Sequence, residues 1–184
     1  MKKMTVIILG LILMIALVGC GTQKASVDNQ KPSGEVQTST GTQPSPTTST
    51  AEAKITITPP SGWEPVAGSV IPVQYMKNTA SFMVKQEPFS GNTVDDVVKE
   101  AQKIFEKSFE DVAYVSEIET ITVGGLDARK IVFTCTISNM QMKYEYVYLF
   151  VGQDVYAITF GDLATTFDSL SADYEQILKD IRFE

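Results

Sequence analysis

Histidine is absent from the sequence. With it go the usual general base near neutral pH, the Ser-His and Cys-His nucleophile pairs and the commonest zinc ligand. Cysteine is nearly absent: the 184 residues hold two, Cys20 and Cys135. Two cysteines exclude a disulfide framework and leave no Cys-x-x-Cys redox or metal motif. A bond between them is not expected either. Cys135 alternates with Ile131, Phe133 and Ile137 on one side of a strand, and reads as a buried thiol behaving as a small hydrophobe. Positive charge is also scarce. Lys and Arg number 15 against 22 Asp and Glu, a net charge of −7, and no basic run follows Lys2-Lys3. Nucleic acid needs clustered cations to displace its counterions, so it is not an expected partner. The phosphate-cradling Gly-x-x-x-x-Gly-Lys, the dinucleotide fingerprint Gly-x-Gly-x-x-Gly and the histidine-free nucleophile pattern Ser-x-x-Lys are all missing, and no cofactor is expected.

Long apolar runs are missing too, with one short exception. Val6 to Val18 is apolar apart from Gly10, and Lys2-Lys3 precedes it. Spanning a hydrocarbon core takes about 20 such residues, so this run fits the centre of a secretory signal instead. It ends in Leu17-Val18-Gly19-Cys20, which resembles the lipobox of bacterial lipoproteins. The resemblance implies cleavage between Gly19 and Cys20, a diacylglyceryl group on the Cys20 sulfur and acylation of the new amino group. One acyl chain holds a protein only marginally and two or more make a stable anchor, each buried methylene adding about 0.8 kcal/mol. Residues 1–19 are thus expected to be a signal peptide, with the mature chain lipid-anchored on the extracytoplasmic side of a cell membrane.

Residues 20–53 then supply the lipidated Cys20 and a Ser, Thr, Pro and Gln-rich stretch with almost no large apolar side chain. Such a segment buries too little surface to offset its ordering entropy, and is expected to be a disordered tether reaching roughly 30 Å. Order is expected over 54–184. Lys54 to Thr58 alternates as a strand, and Pro59-Pro60-Ser61-Gly62 turns the chain into Trp63. Val70 to Met76 and Thr79 to Gln86 read as two further strands. Thr93-Val-Asp-Asp96 resembles a capping box, and the 3.6 period of Val94, Val97, Val98, Ala101, Ile104 and Phe105 predicts a helix over Val94 to Ser108. Strands follow over Val115 to Val123 and Leu126 to Ser138, joined by the hairpin signal Gly124-Gly125. Met142 to Val151 carries Met142, Tyr144, Tyr146, Tyr148 and Phe150 on one side and turns apolar on both sides in its second half. A strand of that kind is covered on both faces. Val155 to Phe160 is a last strand, and a closing helix capped by Thr165 carries the stripe Phe167, Leu170, Tyr174, Ile177, Leu178 and Ile181.

These elements predict an α+β domain: a mainly antiparallel sheet with helices on both faces. Their order, with Pro-Ser-Gly-Trp63, Ala80-Ser-Phe-Met-Val84, Ile-Thr-Val-Gly-Gly-Leu-Asp-Ala128 and the closing Ile-Leu-Lys-Asp-Ile-Arg-Phe183, resembles the PsbP/Mog1-like family of α/β/α sandwiches. With the lipobox and the polar stretch, the chain is similar to small PsbP-like lipoproteins of bacterial envelopes. The resemblance implies binding to a protein partner of the envelope and no enzymatic role, and it transfers no functional residue beyond Cys20.

Two functional readings follow. One is a membrane-anchored, non-catalytic interaction or assembly module. The other is a protein that binds wall material or a small ligand, or weakly hydrolyses it, through Trp63, the tyrosines and surface carboxylates. Trp63, beside a Pro-Gly turn, is the candidate for a partly exposed contact; otherwise it plugs the end of the sheet. The tyrosines either line a groove or form core under a helix. Glu117 with Glu119, Asp95-Asp96 and Glu110-Asp111 are the available carboxylate pairs. They look solvated, whereas a glycosidase needs one of its two raised by burial. No calcium-binding helical loop is present, and no metal site is assigned.

Overall fold

The computed structural model describes residues 53–184. The expected signal peptide, the Gly19–Cys20 junction and the tether up to Glu52 lie outside the described residues. From Ala53 onward the chain forms ten strands, an α-helix over Val94–Ser108 (α1), a 3-10 turn over Phe167–Leu170 and an α-helix over Ser171–Asp180 (α2). In chain order the strands are β1 Ile55–Thr56, β2 Glu64–Pro65, β3 Val73–Lys77, β4 Ala80–Glu87, β5 Glu110–Tyr114, β6 Glu119–Val123, β7 Leu126–Ile137, β8 Met140–Val151, β9 Asp154–Leu163 and β10 Arg182–Phe183. Eight make one antiparallel sheet in the order β2-β3-β4-β9-β8-β7-β5, with β6 also on β7.

Alternation along the strands sorts this sheet into two apolar faces. Phe82, Val84, Val147, Leu149, Tyr156, Ile158 and Phe160 point to one side and pack on Tyr174 and Ile177 of α2. Ile131, Phe133, Cys135, Tyr148, Val155 and Ala157 point to the other and pack on Val97, Val98, Ala101 and Phe105 of α1. Helices therefore cover both faces, and the domain is the α/β/α sandwich anticipated from the strand pattern. Fully burying each of these larger side chains is worth about 1.5–3 kcal/mol. Tyr148 and Leu149 are neighbours buried on opposite faces, as a strand covered on both sides requires.

Local chemistry explains most element ends. Thr93 caps α1, its hydroxyl oxygen accepting from the Asp96 amide at 3.1 Å while the hydroxyl donates to the Asp96 carboxylate at 2.7 Å. Two-residue turns close the hairpins. Gly124 and Gly125 take φ of 59° and 85°, and Ser138 and Asn139 take 50° and 63°.

Four expectations are corrected. Val70 is exposed and precedes the strand, because Gly68 and Pro72 bend the chain and the Ser69 hydroxyl oxygen accepts the Ile71 amide at 3.0 Å. The strand expected over Val115 to Val123 is two strands, β5 and β6, on the same edge of β7, with Val115 to Ile118 bulging between them. Thr165 caps nothing. The chain makes a 3-10 turn first, and the adjacent Thr166 hydroxyl donates to Asp162 at 2.7 Å. The closing helix is followed by β10, which returns to β1; Lys54 and Glu184 exchange both main-chain hydrogen bonds at 2.9 Å.

Candidate interaction surface

Trp63 is where the exposed contact was expected. It is only 7% exposed and plugs the end of the core instead, edge-on to Phe82 at 5.3 Å and against Tyr174 at 6.1 Å. The reason is a polar knot that lets a buried indole keep a partner. Its Nε1–H donates to Asp173 Oδ2 at 2.8 Å, and the same oxygen accepts from Lys77 Nζ at 2.7 Å. Burial by itself would raise the Asp173 carboxyl. The hydrogen bonds from Lys77 and Trp63, with the lysine's charge, outweigh that and hold it below the usual carboxylate range.

Above this knot the β2–β3 end of the sheet carries an open cleft of about 430 Å³, lined by Gly62, Glu64, Pro65, Val66, Met76, Lys77 and Asn78. Met76 is an exposed methionine on one wall, a side chain that adapts readily to a partner's shape. The lysine offers the cleft little charge, because its ammonium is held by Asp173 and by the Ser61 carbonyl at 3.3 Å. Its lining comes from two nearby segments, Gly62 to Val66 and Met76 to Asn78, brought together by the pairing of β2 with β3.

The tyrosine stripe is core under α1. Tyr148 is buried, and Phe105 stands 4.5 Å from Phe133 and 4.8 Å from Tyr146. Burial pushes the Tyr144 hydroxyl up to about 12 and the Tyr146 and Tyr148 hydroxyls higher still, so none ionises near neutral pH. Cys135 is free and buried, its thiol pushed up to about 11 by burial. A thiol so placed is a poor nucleophile.

The carboxylate pairs serve structure or face solvent. Asp95 takes Arg129 in a two-point contact at 2.7 and 3.3 Å, tying the start of α1 to β7. Asp96 belongs to the helix cap, and Asp111 accepts from the Thr136 hydroxyl at 2.9 Å. Glu119 pairs with Lys130 at 2.9 Å, and Glu117, expected on the same strand face, lies in the bulge before β6. Glu145 on β8 was not singled out from the sequence. Burial raises its carboxyl; Lys130 and Lys143 pull it down, Glu119 and Glu175 push it up, and the net shift is upward. It lies near Lys130 and Glu119, but among the described residues no three His, Cys, Asp or Glu side chains gather as metal ligands. No helix among them is long and apolar enough to cross a membrane.

No protein-family model matches the sequence, and no curated protein matches it significantly. Solved structures do match. LpqN, involved in cell envelope biogenesis of Mycobacterium tuberculosis, is 12% identical with a TM-score of 0.60, the match covering 72% of this chain and 84% of that one. PA94, a protein of unknown function from Pseudomonas aeruginosa, is 16% identical at a TM-score of 0.50, covering 68% and 79%. The cyanobacterial PsbP of Synechocystis sp. PCC 6803 is 8% identical at a TM-score of 0.47, covering 78% and 99%. At these identities the likeness is one of fold.

Proposed function

We propose that this chain is a protein of the bacterial cell envelope, held to the extracytoplasmic face of a membrane by lipid on Cys20, whose domain works by binding another protein and not by catalysis. One observation carries the reading: a short apolar run ends in Leu17-Val18-Gly19-Cys20, ahead of a polar stretch and a compact sandwich. The fold shared with LpqN, whose own role is in cell envelope biogenesis, supports it. So does the use made of the ionisable groups. Asp95, Asp96, Glu119 and Asp173 hold elements together, and the one described thiol is buried. The alternative of a wall-binding or ligand-binding site drew on Trp63, the tyrosines and surface carboxylates; the indole is in the core, the tyrosines pack under α1, and Asp95, Asp96 and Glu119 are engaged in structural contacts.

Mass spectrometry of the chain recovered from its native membrane tests the anchor. The expected amino terminus is a diacylglyceryl-modified Cys20, and Cys20→Ala is expected to leave the membrane fraction. A chain starting at Met1, or carrying an unmodified thiol at position 20, overturns the anchor. Crosslinking in cells followed by purification is expected to recover one reproducible envelope protein. Degradation of a wall polymer by the purified protein would overturn the non-catalytic reading.

A further inference from the structure

The two edges of the main sheet differ in one chemical respect. At one edge, the Val66 amide donates to the Gln74 carbonyl at 2.9 Å. Bonded and non-bonded pairs alternate along an antiparallel ladder, so Pro65, paired with Tyr75, has its main chain turned outward. Proline has no N–H, and that edge offers no donor there to an incoming strand.

The opposite edge is open. Gly124-Gly125 closes β6 onto β7 with Val123 opposite Leu126, and a two-residue turn makes that flanking pair a bonded one. Ile121 and Glu119 then bond to β7, and the N–H and C=O groups of Thr120 and Thr122 point away from the sheet. Among the described residues β6 pairs with β7 and no other strand. The same alternation reaches β5: the Val115 amide donates to the Val132 carbonyl at 2.9 Å, which turns the Tyr114 main chain outward. Between the two strands Val115 is 53% exposed and Ile118 is 40% exposed. Unpaired main chain beside exposed apolar side chains is a template for strand addition.

Charge selects what would add there. Residues 110–123 hold Glu110, Asp111, Glu117 and Glu119 and neither Lys nor Arg. Glu119 is paired with Lys130, whereas Glu110 and Glu117 form no ion pair among the described residues. A second copy of this edge would bring carboxylates against carboxylates. We propose that the β5–β6 edge docks an extended, lysine- or arginine-bearing segment of a partner protein, which adds to the sheet as a further strand. The proposal rests on the reading of the domain as an interaction module and names the surface and chemistry of that interaction.

Amide hydrogen exchange of the full chain tests it, with a blocked heptapeptide of alternating lysine and valine as probe. Gaining one main-chain hydrogen bond each, the Thr120 and Thr122 amides are expected to exchange roughly tenfold more slowly with the peptide bound. The counterpart with glutamate for lysine is expected to leave them unchanged, and Glu117→Lys to weaken the effect of the lysine peptide. Thr122→Pro puts on this edge the residue that closes the other one. It is expected to abolish protection at Thr120 while the urea midpoint stays in place. The proposal is overturned if the lysine peptide protects neither amide, if the glutamate peptide protects them equally, or if the chain alone self-associates with these amides protected. Loss of peptide binding with Cys20 lipidated sinks this edge and leaves the anchor. Peptide binding with an unmodified Cys20 does the reverse.

Discussion

Replacing Asp173 tests the knot that seats Trp63. Asp173→Ala removes the one oxygen that accepts both Trp63 Nε1–H and Lys77 Nζ, leaving the ammonium with only the longer contact to Ser61. A hydrogen bond to a charged group contributes about 1.5–3 kcal/mol, and breaking a fully buried ion pair costs about 3–5 kcal/mol. The Lys77 and Asp173 side chains are 25% and 22% exposed, so water recovers part of that loss. The expected cost is about 2 kcal/mol, or roughly 6–10 °C in Tm for a domain of this size. Asp173→Asn keeps an acceptor for the indole and is expected to cost about half as much. The assay is built in: Trp63 is the only tryptophan, and its burial makes emission a direct report of unfolding in urea. The pH dependence adds a second handle. The folded carboxyl ionises below the ordinary value of about 3.9, so its contribution is complete above that pH and is lost as pH falls through the folded value. The advantage of the native chain over Asp173→Asn should therefore shrink in acid. Equal stability of Asp173→Ala and the native chain, or a difference that ignores pH, would refute the argument.

Glu145→Gln should move the other way. The folded Glu145 carboxyl is raised above its unfolded value, so ionising it costs stability as pH rises through the folded value, and the glutamine form should gain Tm at pH 7 but not in acid; calorimetry at both pH values decides. Gly161→Ala would put a Cβ 2.5 Å from Tyr144 Cε1, a ring held by Phe109 and Phe133, and should cost about 1–3 kcal/mol. An unchanged urea midpoint would show that the ring can yield.

What was legible in the sequence followed from periodicity, and what was missed followed from its limits. Val97, Val98, Ala101 and Phe105 repeat at the helical period and lie in one core; Ile131, Phe133 and Cys135 repeat at the strand period and face them. A pattern of that kind depends only on neighbours along the chain. Trp63 shows the limit. Its sequence neighbours are Gly62, Glu64 and a proline-rich turn, which suit a surface, and it is buried because Asp173 and Lys77 meet its nitrogen from distant parts of the chain. The bulge over Val115 to Ile118 shows a second limit. Valine and isoleucine on either side of two polar residues fit an unbroken strand, and only pairing with β7 reveals extra residues between Val115 opposite Val132 and Glu119 opposite Lys130. The difference between the two sheet edges lies deeper still. Whether Pro65 blocks an edge, and whether Thr122 offers one, depends on which way each peptide unit faces. That is fixed by register, and register is fixed by the turns. The letters Gly124-Gly125 therefore determine the free donors of Thr120 and Thr122. The strand order, in which nothing else pairs with β6 among the described residues, leaves those donors without a main-chain partner.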